Sequence, residues 1–171
     1  MTDGPMPVAV LIGPPGSGKT TLGRLLAGRL GVTFRDTDAD VEAVAGKPVG
    51  DIFIEDGEAR FRELELAAVR QALREHDGVL SLGGGAVLHE ETQALLAGHT
   101  VVYLQVGLAD AVARVGLNSA RPLLVLNPRS QLKKLMEERR PIYERLAVLT
   151  IVTDKREAAE LADEIVKGLG A

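Results

Sequence analysis

Val8-Ala9-Val10-Leu11-Ile12 runs directly into Gly13-Pro14-Pro15-Gly16-Ser17-Gly18-Lys19-Thr20-Thr21, and Leu22-Gly23-Arg24-Leu25-Leu26-Ala27 follows. The middle stretch has the spacing G-x-x-x-x-G-K-T. A loop of this kind turns successive backbone N–H groups around Gly16, Ser17 and Gly18 toward an anion at the start of a helix. Lys19 then reaches the β- and γ-phosphates, and the Thr20 hydroxyl ligates Mg²⁺. A ligand-free glycine turn needs no particular neighbours. Here an apolar, β-type run precedes the loop and a helix-forming run follows it, which is the context that phosphate binding requires.

The surrounding chain is 171 residues long, 46% hydrophobic and 26% charged, enough for one domain with a full core and too little for two comfortable ones. Its formal charge of −4 gives no basic surface for nucleic acid and favours a small-molecule acceptor. The absence of cysteine excludes disulfides, thiolate metal sites and cysteine nucleophiles. Met1-Thr2-Asp3-Gly4-Pro5 has neither the basic nor the apolar part of an export signal. No apolar run approaches the ~18 residues of a membrane span. A cytoplasmic protein with no membrane or nucleic-acid partner is expected.

Short β-branched runs alternate with longer helical patterns, the rhythm of an α/β domain whose parallel sheet is covered by helices on both faces. The pattern predicts strands at Val8–Ile12, Thr33–Asp36, Val79–Leu82, Thr100–Gln105 and Val148–Thr153. Helices are predicted at about Lys19–Leu30, Ala39–Ala45, Val49–Asp56, Glu58–His76, Glu90–Ala97, Leu108–Val115, Ser130–Leu146 and Arg156–Leu169. In Glu58–His76, Phe61, Leu64, Ala68 and Leu73 recur at helical spacing, which puts Arg62 and Glu65 on another face, toward solvent or into a site. Only Leu117–Arg129, with Asn118, Pro122, Asn127 and Pro128, reads as a long irregular stretch, and a loop of that length in a small domain is usually functional or mobile.

Three further clusters fall at strand ends, where open parallel sheets bind ligands. Asp36-Thr37-Asp38-Ala39-Asp40 closes the second strand. Helix capping by Thr37 or Asp38 explains one carboxylate. The i, i+2 pair Asp36 and Asp38 on an extended segment would instead aim one carboxylate at a metal and the other at an acceptor hydroxyl. Ser81-Leu82-Gly83-Gly84-Gly85-Ala86 closes the third strand, and three glycines in a row let backbone approach a ligand closely. No aspartate ends that strand, so the usual second Mg²⁺ ligand of P-loop proteins is missing there, and Asp36 is the nearest candidate to replace it. The last cluster is Arg62, Arg121 and Arg139-Arg140 before Pro141. Isolated arginines are mostly solvated. Arg121 lies in the irregular stretch, where a closing lid would carry it onto phosphates. Arg62 and Arg139 suit an anionic acceptor, because a guanidinium clamps a carboxylate with two parallel hydrogen bonds.

Together, Gly13–Thr21, Asp36-Thr37-Asp38, Phe61-Arg62-x-x-Glu65, Leu82-Gly83-Gly84-Gly85, Arg121-Pro122-Leu123-Leu124 and Arg139-x-Pro141-x-Tyr143 resemble the shikimate kinase family, in that family's order, from about residue 8 to 153. The resemblance implies a P-loop NTPase-type three-layer fold, a five-stranded parallel sheet in the order 2-3-1-4-5. It also implies a single domain over residues 1–171, an acceptor-binding segment at about 33–65 and a mobile lid at about 118–129. The implied reaction moves the γ-phosphoryl of MgATP to the 3-hydroxyl of shikimate, on the route to chorismate and aromatic amino acids.

Carried over residue by residue, the resemblance makes Lys19, Asp38 and Arg121 catalytic. ATP falls to Gly16, Ser17, Gly18, Lys19, Thr20, Thr21, Arg114 and Arg121, with Arg114 beside the adenine. One Mg²⁺ falls to Thr20, with Asp36 supporting it through water. Shikimate falls to Asp38, Arg62, Arg139 and Gly83, Gly84 and Gly85, with Phe53, Phe61, Pro122 and Leu123 packed on its ring. ATP and shikimate are the implied partners of a monomer. Lys155-Arg156-Glu157-Ala158 departs from the pattern where some members place a proline against adenine. Arg139 is preferred over Arg140 only on the R-x-P-x-Y spacing. A gluconate- or nucleotide-type P-loop kinase, and a nucleotide-gated switch, are the other readings. Against the switch, Thr153-Asp154-Lys155-Arg156 does not fit a guanine-recognition motif.

Overall fold

In β1 (Ala9–Ile12) every residue is buried, as expected of a central parallel strand covered on both faces. The computed structural model describes residues 6–115 and 128–170. The chain continues through α1 (Lys19–Leu30), β2 (Phe34–Asp36), α2 (Thr37–Ala45), α3 (Val49–Asp56), α4 (Glu58–Glu75), β3 (Val79–Ser81), a 3-10 turn at Ala86–Leu88, α5 (Glu90–Leu95), β4 (Val101–Gln105), α6 (Leu108–Val115), α7 (Pro128–Leu146), β5 (Leu149–Val152) and α8 (Ala158–Gly168). The five strands are parallel in the order β2-β3-β1-β4-β5, the order the resemblance implies.

Side chains of a strand alternate between faces, and β1 divides accordingly. Val10 and Ile12 join Val69, Leu73, Leu80, Leu82, Val101 and Tyr143 in one core, under α4, α5 and α7. Ala9 and Leu11 join Leu22, Leu26, Val102, Leu104, Leu161 and Ile165 in the other, under α1 and α8. A third cluster, Val41, Val49, Ile52, Phe61 and Ala68, lies among α2, α3 and α4 away from both sheet faces. Burying Ile52 and Phe61, neither of which has any exposed surface, contributes about 1.5–3 kcal/mol each.

The register places Asp36 beside Ser81 and Ile12 beside Tyr103. The carboxyl ends of the strands therefore share one edge, and the phosphate loop leaves that edge between β3 and β4, where the chain direction of winding reverses. The expected strands overrun the observed ones by a residue or two. The outer residues still make single bonds, Val8 N–H to Gly78 O and Leu82 N–H to Leu11 O among them, but do not continue the ladder. Helix α4 stops one residue short of His76, which turns extended and places its ring nitrogen Nε2 between Thr33 O and Val79 O.

One correction concerns the first acidic cluster. Helix α2 begins at Thr37, not Ala39, and its N-cap is Asp36, whose side chain accepts from the Asp38 N–H at 2.9 Å. Asp36 and Asp38 thus do not share an extended segment. They straddle the junction of strand and helix, because a carboxylate at the cap satisfies a first-turn N–H that two further extended residues would have left open.

Candidate active site

Gly16 and Gly18 adopt φ of 83° and 87°, the left-handed region that suits glycine. Gly18 is the N-cap of helix α1, which has no side-chain cap and no acidic residue in its first turn. The positive end of the helix therefore faces the loop without a carboxylate from that turn against it. Lys19 Nζ donates to Gly13 O at 2.7 Å and Pro14 O at 3.2 Å. This folds the ammonium over the loop it belongs to. A cavity of about 430 Å³ opens here, and it brings together Lys19, Thr20, Asp36, Asp38, Gly83 and Arg114. Thr21 lines it as well. Three clusters that are distant in sequence thus share one space.

The triple glycine forms the floor between phosphate loop and acceptor side. A Cβ at Gly83 would lie 2.6 Å from Asp38 Oδ1 and 3.1 Å from Glu65 Oε2, so two carboxylates converge where only glycine fits. The Gly83 N–H donates to Thr37 Oγ1 at 3.3 Å. A Cβ at Gly84 would stand 3.4 Å from Arg139 Nη1, and one at Gly85 would overlap the Arg62 guanidinium. Tyr143 donates its hydroxyl hydrogen to Gly84 O.

On the acceptor side, Arg62 Nη1 donates to Glu65 Oε1 at 2.8 Å and Nη2 to Glu58 Oε2 at 3.3 Å. Glu65 has no exposed surface, and its Oε2 has no hydrogen-bond partner among the described residues. Burial is the main cause that raises its proton affinity, offset by the Arg62 charge and hydrogen bond and augmented by Asp38. Burial likewise raises that of Asp36, with the Asp38 charge adding and the Asp38 N–H and Lys19 opposing. Arg139 is buried against Gly84, whereas the side chain of Arg140 is 59% exposed and pairs with Glu144 at 2.7 Å. The two arginines face different ways, and Arg139 is the one turned to the triple glycine. Phe61 is fully buried and stacks at 4.8 Å, tilted, on the half-buried Phe53. Phe53 is accordingly the ring nearer the surface.

Arg114, from α6, donates to Gly16 O at 3.1 Å and to Thr153 O at 3.0 Å, bridging the phosphate loop to the end of β5. Beyond it Asp154 Oδ1 accepts from Gly107 N–H and Asp110 Oδ2 from Lys155 N–H. These bonds fix the segment that leads into Arg156-Glu157-Ala158. Arg121, Pro122 and Leu123 lie outside the described residues, as does most of the expected lid.

A family model described as shikimate kinase matches residues 15–170. The chain belongs to the shikimate kinase family. The shikimate kinase of Salinispora arenicola is 61% identical over 96% of this chain and 99% of its own length. That of Thermobifida fusca is 59% identical, with 96% of each chain covered. A solved shikimate kinase from Acinetobacter baumannii, in complex with shikimate, superposes with a TM-score of 0.92 at 35% identity over 96% of this chain and 93% of the other. As a shikimate kinase family member the chain is an ATP-dependent transferase.

An ATP-using kinase works with a metal ion, and the hard oxygens that could hold one, the Thr20 hydroxyl and the Asp36 carboxylate, both line the cavity. No group of three or more His, Cys, Asp or Glu side chains able to hold a metal occurs among the described residues. That set fits an ion held largely by phosphate oxygens and water rather than by a protein cage. No helix among the described residues is long and apolar enough to cross a membrane. Sequence reasoning left undecided whether Glu65 meets solvent or a site, and it did not single out His89, whose Nε2 lies 3.5 Å from Glu65 Oε1. The i, i+3 spacing of Arg62 and Glu65 was the available signal for that pair; for His89 there was none.

Proposed function

We infer that this chain transfers the γ-phosphoryl group of ATP to the 3-hydroxyl of shikimate, giving ADP and shikimate 3-phosphate. The observation that carries the reading is the meeting, around Gly83–Gly85, of Asp38 from α2, Arg62 from α4 and Arg139 from α7 beside the phosphate loop. Two guanidiniums suit a carboxylate, and one carboxylate at the loop side suits a hydroxyl.

The chain's own residues divide the work. Gly16, Ser17, Gly18, Lys19, Thr20 and Thr21 hold the triphosphate, and Arg114 flanks the adenine. Asp38 orients the acceptor hydroxyl and takes its proton as the hydroxyl oxygen bonds to phosphorus and the bond to ADP breaks. Orientation matters more than basicity if the transition state is loose. Arg62, Arg139 and the glycine backbone hold the carboxylate and ring hydroxyls, over Phe53 and Phe61. Residues at about 118–129 form a lid that brings Arg121 to the transferring phosphate and Pro122 and Leu123 to the ring. Residues at about 33–65 form the acceptor segment of a single domain. One Mg²⁺, held by Thr20 and, through water, Asp36, supplies charge neutralisation when bound. The enzyme works as a cytoplasmic monomer on two small molecules.

The test is ADP formation with Mg²⁺ and ATP across a panel of acceptors. Turnover with shikimate and none with gluconate or nucleoside monophosphates is expected. Turnover that follows gluconate or a nucleotide, or hydrolysis indifferent to any acceptor, would overturn the reading.

A further inference from the structure

Beneath the triple glycine sits an ionisable side chain that the phosphoryl transfer does not use. His89 caps the start of α5 at the end of the 3-10 turn that follows Gly85, and its side chain is 22% exposed. Its Nε2 is buried, has no hydrogen-bond partner among the described residues, and faces Glu65 Oε1 at 3.5 Å. With Glu65 ionised, a bare nitrogen lone pair against its oxygen would be repulsive, so Nε2 then carries a hydrogen. The turn is held in place by Gln93 Nε2 donating to Val87 O at 2.8 Å, and α5 is tied to α4 by Arg70 and Glu91.

We propose that His89 is a positioning residue for the acceptor's carboxylate, acting through Glu65 on Arg62 and coupling acceptor binding to uptake of a proton. The proposal rests on the acceptor reading above and deepens it. The groups facing the Glu65–His89 contact are Arg62 on α4, Asp38 on α2 and, across the triple glycine, Arg139 on α7. Glu58 shares Arg62, Glu91 is engaged by Arg70, and Arg145 of α7 goes to Gln93. Exposed Glu90 is the remaining charge on α5 near the contact.

With a neutral imidazole, the carboxylates of Asp38, Glu65 and Glu58 outnumber the guanidiniums of Arg62 and Arg139. An incoming carboxylate adds to that negative excess beside the buried Glu65, where such an imbalance is costly. An imidazolium at His89 offsets it. Burial already favours a protonated Glu65. A charged His89 is what keeps that carboxylate ionised and Arg62 held in register. Because coupling is reciprocal, an acceptor that draws a proton onto His89 must bind more tightly as pH falls through the range where histidines titrate, about pH 5–8.

The experiment compares wild type with His89→Gln, which keeps a hydrogen-bond donor and cannot titrate, and His89→Asn as a second, shorter variant. KM for shikimate in wild type is expected to fall about fivefold, the low end of such couplings, from pH 8 to pH 6, and to be flat in both variants. The variants should change KM more than kcat. Shikimate binding to nucleotide-free wild type, followed by calorimetry in two buffers of different ionisation enthalpy, should show proton uptake that His89→Gln abolishes. Proton uptake that persists in the variant would assign the proton to Glu65 and overturn the proposal. So would a wild-type KM profile reproduced by both variants. Wild type that forms no ADP with shikimate at any pH overturns the acceptor reading itself, while turnover without proton uptake overturns only the role of His89.

Discussion

The Tyr143 hydroxyl lies 2.6 Å from Gly84 O, joining α7 to the triple glycine across 59 positions of sequence. Tyr143 and Arg139 are four residues apart, one above the other on the same face of α7, and both meet Gly84. One residue thus fixes the backbone that the other's guanidinium stands against.

Tyr143→Phe therefore removes the buried carbonyl's partner without opening a cavity. Denaturant unfolding is expected to show a loss of about 1–3 kcal/mol. KM for shikimate should rise severalfold while the affinity for ATP stays near its original value. An unchanged KM together with an unchanged midpoint would mean that the Gly84 carbonyl finds another donor.

Asp38→Asn keeps the backbone N–H that Asp36 accepts from, so α2 stays capped. Turnover should fall by about 10²- to 10⁴-fold, the usual range for a positioned acid–base group, with nucleotide binding nearly intact by calorimetry. Near-normal turnover would return Asp38 to a purely helical role.

The two adjacent arginines of α7 should part company. Arg139→Ala, like Arg62→Ala, is expected to weaken shikimate binding by about 2–5 kcal/mol and to leave ATP binding alone. Arg140, with its exposed pair to Glu144, should do neither, since exposed ion pairs are worth about 0–1 kcal/mol. Equal effects at Arg139 and Arg140, read by direct binding, would place the clamp elsewhere.

Glu65 makes stability and binding pull in opposite directions. Its folded proton affinity is raised above the ordinary carboxylate value of 4.5, so the folded state holds this proton more tightly than the unfolded state does. Stability then declines as pH rises from about that value toward the raised one, and the decline stays at neutral pH. The stability of wild type relative to Glu65→Gln should therefore fall from pH 4 to pH 7.5, and the variant should bind shikimate less well. Urea unfolding of both proteins at the two values checks the sign, and a wild-type advantage that grows with pH would contradict it.

The strand and helix order was legible because each periodicity is local. β1 reads as a buried run, and α4 shows its apolar stripe in Phe61, Leu64, Ala68 and Leu73. The start of α2 was misplaced because Asp36, Thr37 and Asp38 are all good caps, and only the folded backbone shows which carboxylate captures the Asp38 N–H. The 3-10 turn Ala86–Leu88 is too short to leave a pattern. In the site, the phosphate loop and the triple glycine carry their chemistry in consecutive residues and were readable. The contacts of Gly83 with Thr37, Gly84 with Tyr143 and Glu65 with His89 were not, since each depends on how separate elements dock. The choice between Arg139 and Arg140 had a faint trace in the four-residue interval to Tyr143.

Helix α4 belongs to two cores: Phe61 and Ala68 pack with Val41, Val49 and Ile52, while Val69, Ala72 and Leu73 pack under the sheet. Arg62 and the Phe53–Phe61 pair therefore stand on a nucleus of their own, while Arg139 rises from the helix whose Tyr143 lies in the core under the sheet. The two arginines of the clamp thus belong to separate packing units, and a displacement of one unit against the other would alter the width of the seat between them.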